Sequence, residues 1–203
     1  LLVAESAGAF GDTDIPVERY LSREFHELEK RHVWGRCWQM ACREEHLPVV
    51  GDTYRYTICD LDIDLTRGDG AVTALIAGTG APVAVDTWGG FVFVNPDTGC
   101  VPLRSFFGEL VDHFEPWHLE RRYVEAHVVK RIRANWKVVQ EAFMESFHVG
   151  ATHPQQLARL GDTNSRYDCY TTFNRALHPS GIPSPTLKWE PTEQEMLDWM
   201  LDV

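Results

Sequence analysis

The chain has 203 residues, 44% hydrophobic and 24% charged, long enough to bury one good core or two small ones and too apolar to read as disordered. Its net charge of -11 repels phosphate backbones and anionic lipid, which argues against nucleic acid and against a membrane surface as partners. No apolar run approaches the roughly 20 residues of a membrane span, and the opening LLVAESAGAFGDTDIP lacks the basic stretch of a secretory signal. Five cysteines, Cys37, Cys42, Cys59, Cys100 and Cys169, form an odd set without the dense spacing of a disulfide scaffold. Together these features point to a cytoplasmic protein.

In chain order, Pro16 is followed by VERYLSREFHELEKRHVWGRCWQMAC, whose apolar positions recur every three to four residues. The spacing predicts one helix, with Cys37 and Cys42 as buried helix residues. From Gly51 the texture changes to alternation: TYRYTICDLDIDLTR stops at Gly68-Asp69-Gly70 and AVTAL follows, a β-hairpin signal. DTWGGFVFVNPDTG is a second strong strand, stopped by Asn95-Pro96-Asp97. RYVEAHVVKRIRA reads as a further strand running into Asn135. Residues 1 to about 130 therefore read as a β-rich unit behind a helix, and the remainder as the opening of a second domain.

That remainder begins with NWKVVQEAFMESFHVGATHPQ, residues 135 to 155. Asn135 suits an N-cap, and Trp136, Val139, Phe143 and Phe147 trace one apolar stripe. Glu141, Glu145 and His148 lie on a second stripe. His153 is five residues beyond His148, about 140° off that stripe if the helix continues. A left-handed Gly150 ending the helix would fold the chain back and bring the two imidazoles together. With a carboxylate from elsewhere they would complete a two-histidine, one-carboxylate iron site with open positions. The competing reading takes both histidines as residues favoured by a helix C-terminus, with Glu145 solvated.

NWKVVQEAFMESFHVGATHPQ resembles the mononuclear iron motif of the Rieske non-haem iron oxygenases, the α subunits of aromatic-ring-hydroxylating dioxygenases and of related monooxygenases and demethylases. Asn135-Trp136-Lys137, Glu141, Glu145, Phe147, His148 and His153 fall in the family's order, and Trp38, GDTYRYTI and DTWGGFVFVNPD resemble its upstream motifs. The resemblance implies an α+β fold: a β-rich Rieske-type domain followed by a helix-grip catalytic domain with antiparallel sheet and helices, both incomplete here. It divides the chain into an N-terminal helical segment, 1-40, a Rieske-like β domain without its cluster-binding segment, 41-95, and the first part of the catalytic iron domain, 96-203. It further implies that His148 and His153 ligate Fe(II) and that Glu145 bonds a ligand histidine and links it to the electron path. The third ligand, an aspartate in the family, has no counterpart, and neither Asp198 nor Asp202 is promoted to it.

The implied activity is that of an oxygenase component using O2 and electrons from NAD(P)H, passed on by a ferredoxin or flavin reductase, to hydroxylate a hydrophobic, aromatic small molecule. The implied assembly is a homotrimer, with or without β subunits. The complete protein is expected to hold a [2Fe-2S] Rieske cluster as well as the mononuclear iron, yet neither CxH nor CxxH occurs in this sequence. AVTAL also lacks an undisturbed hairpin partner in the sequence, so a seam in the chain is expected between about Leu75 and Pro82. The principal rival is a non-enzymatic helix-grip ligand-binding remnant that has lost the redox cluster. A di-iron carboxylate bundle, suggested by Glu29-x-x-His32, Glu115-x-x-His118 and Glu145-x-x-His148, conflicts with the strand GGFVFVN and with Pro116. A zinc hydrolase would want HExxH.

Overall fold

The structure is a computed structural model and describes residues 13–201. The chain divides into two compact units, one of residues 16–131 and the other built chiefly of residues 132–203. The first twelve residues of the expected helical segment, and Asp202, lie outside the described residues.

The first unit opens with α1 (Glu18–Leu21) and α2 (Arg23–Glu29), continued as a π-helical turn over Lys30–Trp34. Ser22 separates the two helices because its extended backbone breaks α1 while its hydroxyl accepts from the Phe25 amide at 3.1 Å, capping α2. The single helix expected through Cys42 ends at Gly35. Gln39–Arg43 is instead strand β1, because Met40, Cys42 and Arg43 find ladder partners in Phe93, Val92 and Phe91. Helical spacing of apolar residues is a weaker constraint than an available strand edge.

Five further strands follow: β2 (Thr53–Ile58), β3 (Leu61–Arg67), β4 (Val72–Ile76), β5 (Pro82–Trp88) and β6 (Phe91–Asn95). All pair antiparallel in the order β1-β6-β5-β4-β3-β2. The sheet curls toward closure: the Tyr56 hydroxyl on β2 donates to Gln39 Oε1 on β1 at 3.2 Å. The hairpin at Gly68–Asp69–Gly70 forms as read. Two more turns split what the sequence reads as single strands, Cys59-Asp60 between β2 and β3 and Gly89-Gly90 between β5 and β6. Gly90 is required there, since at φ +80° an added Cβ would lie 2.8 Å from the Arg43 guanidinium.

AVTAL has partners on both sides. Leu65 faces Ala74 across β3, and Ala74 faces Val83 across β5. The connection 77–81 is a closed turn in which the Ile76 amide donates to Ala81 at 2.8 Å and the Gly80 amide donates back to Ile76 at 2.9 Å. The expectation that AVTAL lacks a strand partner is corrected here. Gly78 and Gly80, at φ +81° and +70°, let five residues reverse the chain where no Asn-Gly signal marks a turn.

The core follows from the two-residue period of the strands. Ile63, Leu65, Val72, Ala74, Val83, Val92 and Val94 point inward with Leu47, and Leu47, Ile63, Leu65, Val92 and Val94 are fully buried. Each such side chain contributes about 1.5–3 kcal/mol on burial. On the sheet's other side α3 (Leu103–Phe107) and α4 (Leu110–Phe114) add a second cluster, with Phe107 edge-on to Trp88 and Phe93. Arg43 ties this end together: its guanidinium lies 4.5 Å from the Phe91 ring and donates to the Leu119 carbonyl at 3.2 Å and to that of Arg122.

RYVEAHVVKRIRA is not a strand. Residues 122–131 are exposed and irregular, with Val128 87% exposed, because no strand among the described residues offers them a ladder. Beyond them come α5 (Trp136–Glu141), α6 (Val149–Thr152), the hairpin β7 (Arg166–Cys169) and β8 (Asn174–Leu177), and α7 (Glu193–Leu201). Thr192 starts α7 by a capping box: its hydroxyl accepts from the Glu195 amide at 3.2 Å while Glu195 accepts from the Thr192 amide at 2.8 Å. The whole is α+β. No helix among the described residues is long and apolar enough to cross a membrane.

Candidate metal centre

Asn135 caps α5 as its sequence position suggests, with extended backbone and a side-chain oxygen accepting from the Lys137 amide at 3.0 Å. The helix then stops at Glu141 instead of running on to Gly150. Residues 142–148 turn, and Phe143 and Phe147, expected on the apolar stripe, are 75% and 91% exposed. Trp136 and Val139, at the start of the stripe, are half-buried, while its second half is left exposed and cannot hold a helix by burial.

His148 and His153 nevertheless meet. His148 is the N-cap of α6 and His153 its C-cap, so a single helical turn separates them. The His148 carbonyl accepts from Ala151 and Thr152 at 3.1 and 2.7 Å, and the His153 amide donates to Val149 at 2.8 Å. The ring centroids lie 5.5 Å apart with planes at 76°. Gly150 is not the hinge: it sits inside α6 without a left-handed backbone, and the chain turns at His153, φ -127° and ψ 49°.

Glu145 completes the local arrangement. One carboxylate oxygen contacts His148 Nδ1 and the other accepts from the His148 amide at 3.2 Å. With Nδ1 held by the carboxylate, a neutral His148 presents Nε2 as its lone-pair nitrogen, the orientation in which a ligating imidazole is usually held. The His148 side chain holds the Glu145 carboxyl below the usual glutamate range, with the amides of His148 and Phe147 adding to the effect. Glu145 also lines a cavity of about 640 Å³ together with Met144, Phe147, Gly150, Tyr167 and Thr186.

This donor set fits part of an iron site. Two imidazoles of suitable type are adjacent, and one is oriented by a carboxylate. Among the described residues no group of three His, Cys, Asp or Glu side chains converges, so neither Glu145 nor the buried Asp162 on the same cavity wall acts as a third donor to the pair.

One buried group had no readable sequence signal. Asp168 on β7 is 2% exposed and faces Arg175 on β8 in register; it accepts from Arg175 at 2.7 Å and from Arg166 at 2.9 Å. Those guanidiniums, Arg175 first, hold its carboxyl below the usual aspartate range. The pairing could be found only once β7 and β8 were known to face each other.

Comparison with known proteins agrees with the motifs. Residues 109–201 match the family described as ring hydroxylating alpha subunit (catalytic domain). The glycine betaine monooxygenase oxygenase subunit of Pseudomonas aeruginosa is 32% identical over 79 residues, 39% of this chain and 18% of that protein. The carnitine monooxygenase oxygenase subunit of Acinetobacter pittii is 28% identical over 75 residues, 36% of this chain and 20% of that protein. The chain thus spans about a fifth of the length of the curated relatives it matches. Among solved structures, the quaternary ammonium Rieske monooxygenase CntA superposes with a TM-score of 0.73 at 17% identity, over 79% of this chain and 60% of that one. Naphthalene 1,2-dioxygenase gives 0.53 at 17% identity over 67% of this chain and 44% of that one. The fold is that of a Rieske oxygenase α subunit, in partial form. The resemblance to the Rieske non-haem iron oxygenase α subunits read from the motifs is borne out.

Proposed function

We propose that the chain carries the iron-binding part of the catalytic domain of a Rieske-type oxygenase, with His148 and His153 as ligands. The observation that supports this most directly is the meeting of the two imidazoles across α6, with Glu145 on Nδ1 of the first. His148 and His153 would hold the metal through their ring nitrogens, with Glu145 fixing the His148 ring, beside a cavity lined by Met144, Phe147 and Tyr167. Iron(II) held there supplies dioxygen activation.

The substrate we propose is a small quaternary ammonium compound. Two kinds of relatives carry glycine betaine and carnitine in their names, and a cavity with a carboxylate at one side and Phe147 and Tyr167 along its walls suits a methylated cation. The aromatic substrate expected from the family as a whole has less behind it, resting on the fold shared with naphthalene 1,2-dioxygenase. Electrons from NAD(P)H through a ferredoxin or flavin reductase, a homotrimeric assembly and a cytoplasmic location belong to the same proposal. The ligand-binding remnant is not favoured, since the curated relatives named above are oxygenase subunits.

The test is ferrous iron binding by the full chain under anaerobic conditions, followed by titration with glycine betaine and with naphthalene. Iron bound by the wild type, lost in His148→Ala and His153→Ala, supports the site. Perturbation of glycine betaine resonances by the iron-loaded chain supports the substrate class, and perturbation by naphthalene alone overturns it.

A further inference from the structure

We propose that residues 16–131 form a metal-free sheet unit that keeps the fold of a Rieske-type domain but holds no [2Fe-2S] cluster. Such a cluster takes two thiolates on one iron and two imidazoles on the other, gathered within a few ångströms. All five cysteines and nine histidines of the chain fall among the described residues, so the donors can be placed one by one.

The four cysteines of this unit serve other places. Cys42 is buried on β1 opposite Val92, within the apolar core. Cys37 lies in the connection from the π-helical turn to β1, Cys59 at the tip of the β2–β3 turn with φ 51°, and Cys100 beyond the end of β6. At least three of the unit's six histidines have local partners. His26 Nδ1 contacts Glu29 at 3.3 Å, His46 Nδ1 accepts from the Arg43 amide at 3.1 Å with its ring 5.5 Å from that of Tyr54, and His118 lies 3.6 Å from Glu120. Nowhere among the described residues do three donors of this kind converge.

The backbone leaves no loop to wrap a cluster. From β2 to β6 the connections are 59–60, 68–71, 77–81 and 89–90, each a short reversal between paired strands. The longest, 77–81, spends its amides on the sheet: Ala77 donates to Asp62 at 2.8 Å and Gly80 to Ile76 at 2.9 Å. Burial pushes the thiols of Cys37, Cys42, Cys59 and Cys100 up, Cys42 to about 11, the opposite of the lowered pKa of a thiolate ligand.

The unit therefore folds on its apolar core, without the metal-coupled folding of small metal-dependent domains. An oxygenase built on this chain takes its electrons from a carrier held outside residues 16–131. The experiment is anaerobic reconstitution of the full chain with ferrous iron and sulfide, then desalting, assay of iron and acid-labile sulfide, and electron paramagnetic resonance of the dithionite-reduced sample. The expected result is no labile sulfide above a protein-free control, no cluster signal, and sheet unfolding unchanged by a chelator. Labile sulfide retained through desalting with a reduced-cluster signal, at any stoichiometry, overturns the inference. Iron without sulfide supports both this inference and the iron site; absence of both leaves the inference standing and removes the iron site.

Discussion

The two units are held by different forces. Of the buried hydrophobic side chains among the described residues, only Val149 and Ala158 lie beyond residue 131, whereas the sheet unit holds the rest, from Ala41 to Phe107. The second unit relies on polar contacts: Asp168 with Arg175 and Arg166, Glu145 with His148, and the capping box at Thr192. An apolar core is non-directional and insensitive to pH, while ionised hydrogen bonds depend on geometry and on protonation. The region carrying the candidate chemistry is therefore the one whose order is expected to respond more to metal and to acid.

The largest expected effect lies in the sheet. Leu65→Ala, at a fully buried position, is expected to lower stability by about 2–5 kcal/mol in urea unfolding while iron binding by folded protein is kept. A similar loss of iron affinity would break the contrast by coupling the two units. Glu145→Gln is expected to keep iron but weaken it by about 10–100-fold, because the neutral amide holds the His148 ring less well; isothermal titration reads this. In the complete enzyme the same variant should lose turnover, and full activity would remove Glu145 from the electron path.

Acid should separate the units further. The Asp168 carboxyl is held low by its arginines, so its contribution is present above the ordinary aspartate range and is lost as pH falls through the lowered folded value. The β7–β8 hairpin, followed through Tyr167 resonances, is expected to open on acidification before the sheet does, and Asp168→Asn should flatten that dependence. Simultaneous melting of both units would show a single cooperative structure. The smallest effect is at the caps, where Ser22→Ala and Asn135→Ala each remove one amide acceptor and should cost about 1 kcal/mol by thermal unfolding.

The hairpins were legible where turn chemistry marks them, as at Gly68-Asp69-Gly70, and missed where an unmarked turn, such as Cys59-Asp60, does the same work. β1 was hidden because its residues also satisfy helical spacing, and only the free edge of β6 decides against the helix. At the site, residue types and order led to His148, His153 and Glu145, and the imidazoles do meet. The path was misread: the chain turns around α6 instead of leaving a long helix at Gly150. Asp168 was invisible because its main partner, Arg175, comes from strand register, which a sequence does not print.

The central claim is that His148 and His153 together bind iron. Anaerobic titration of ferrous iron into the full chain near neutral pH, wild type against His148→Ala and His153→Ala, tests it most directly. One saturable site in the wild type, absent in both variants while their circular dichroism is unchanged, is the predicted result; equal binding by all three proteins would contradict it.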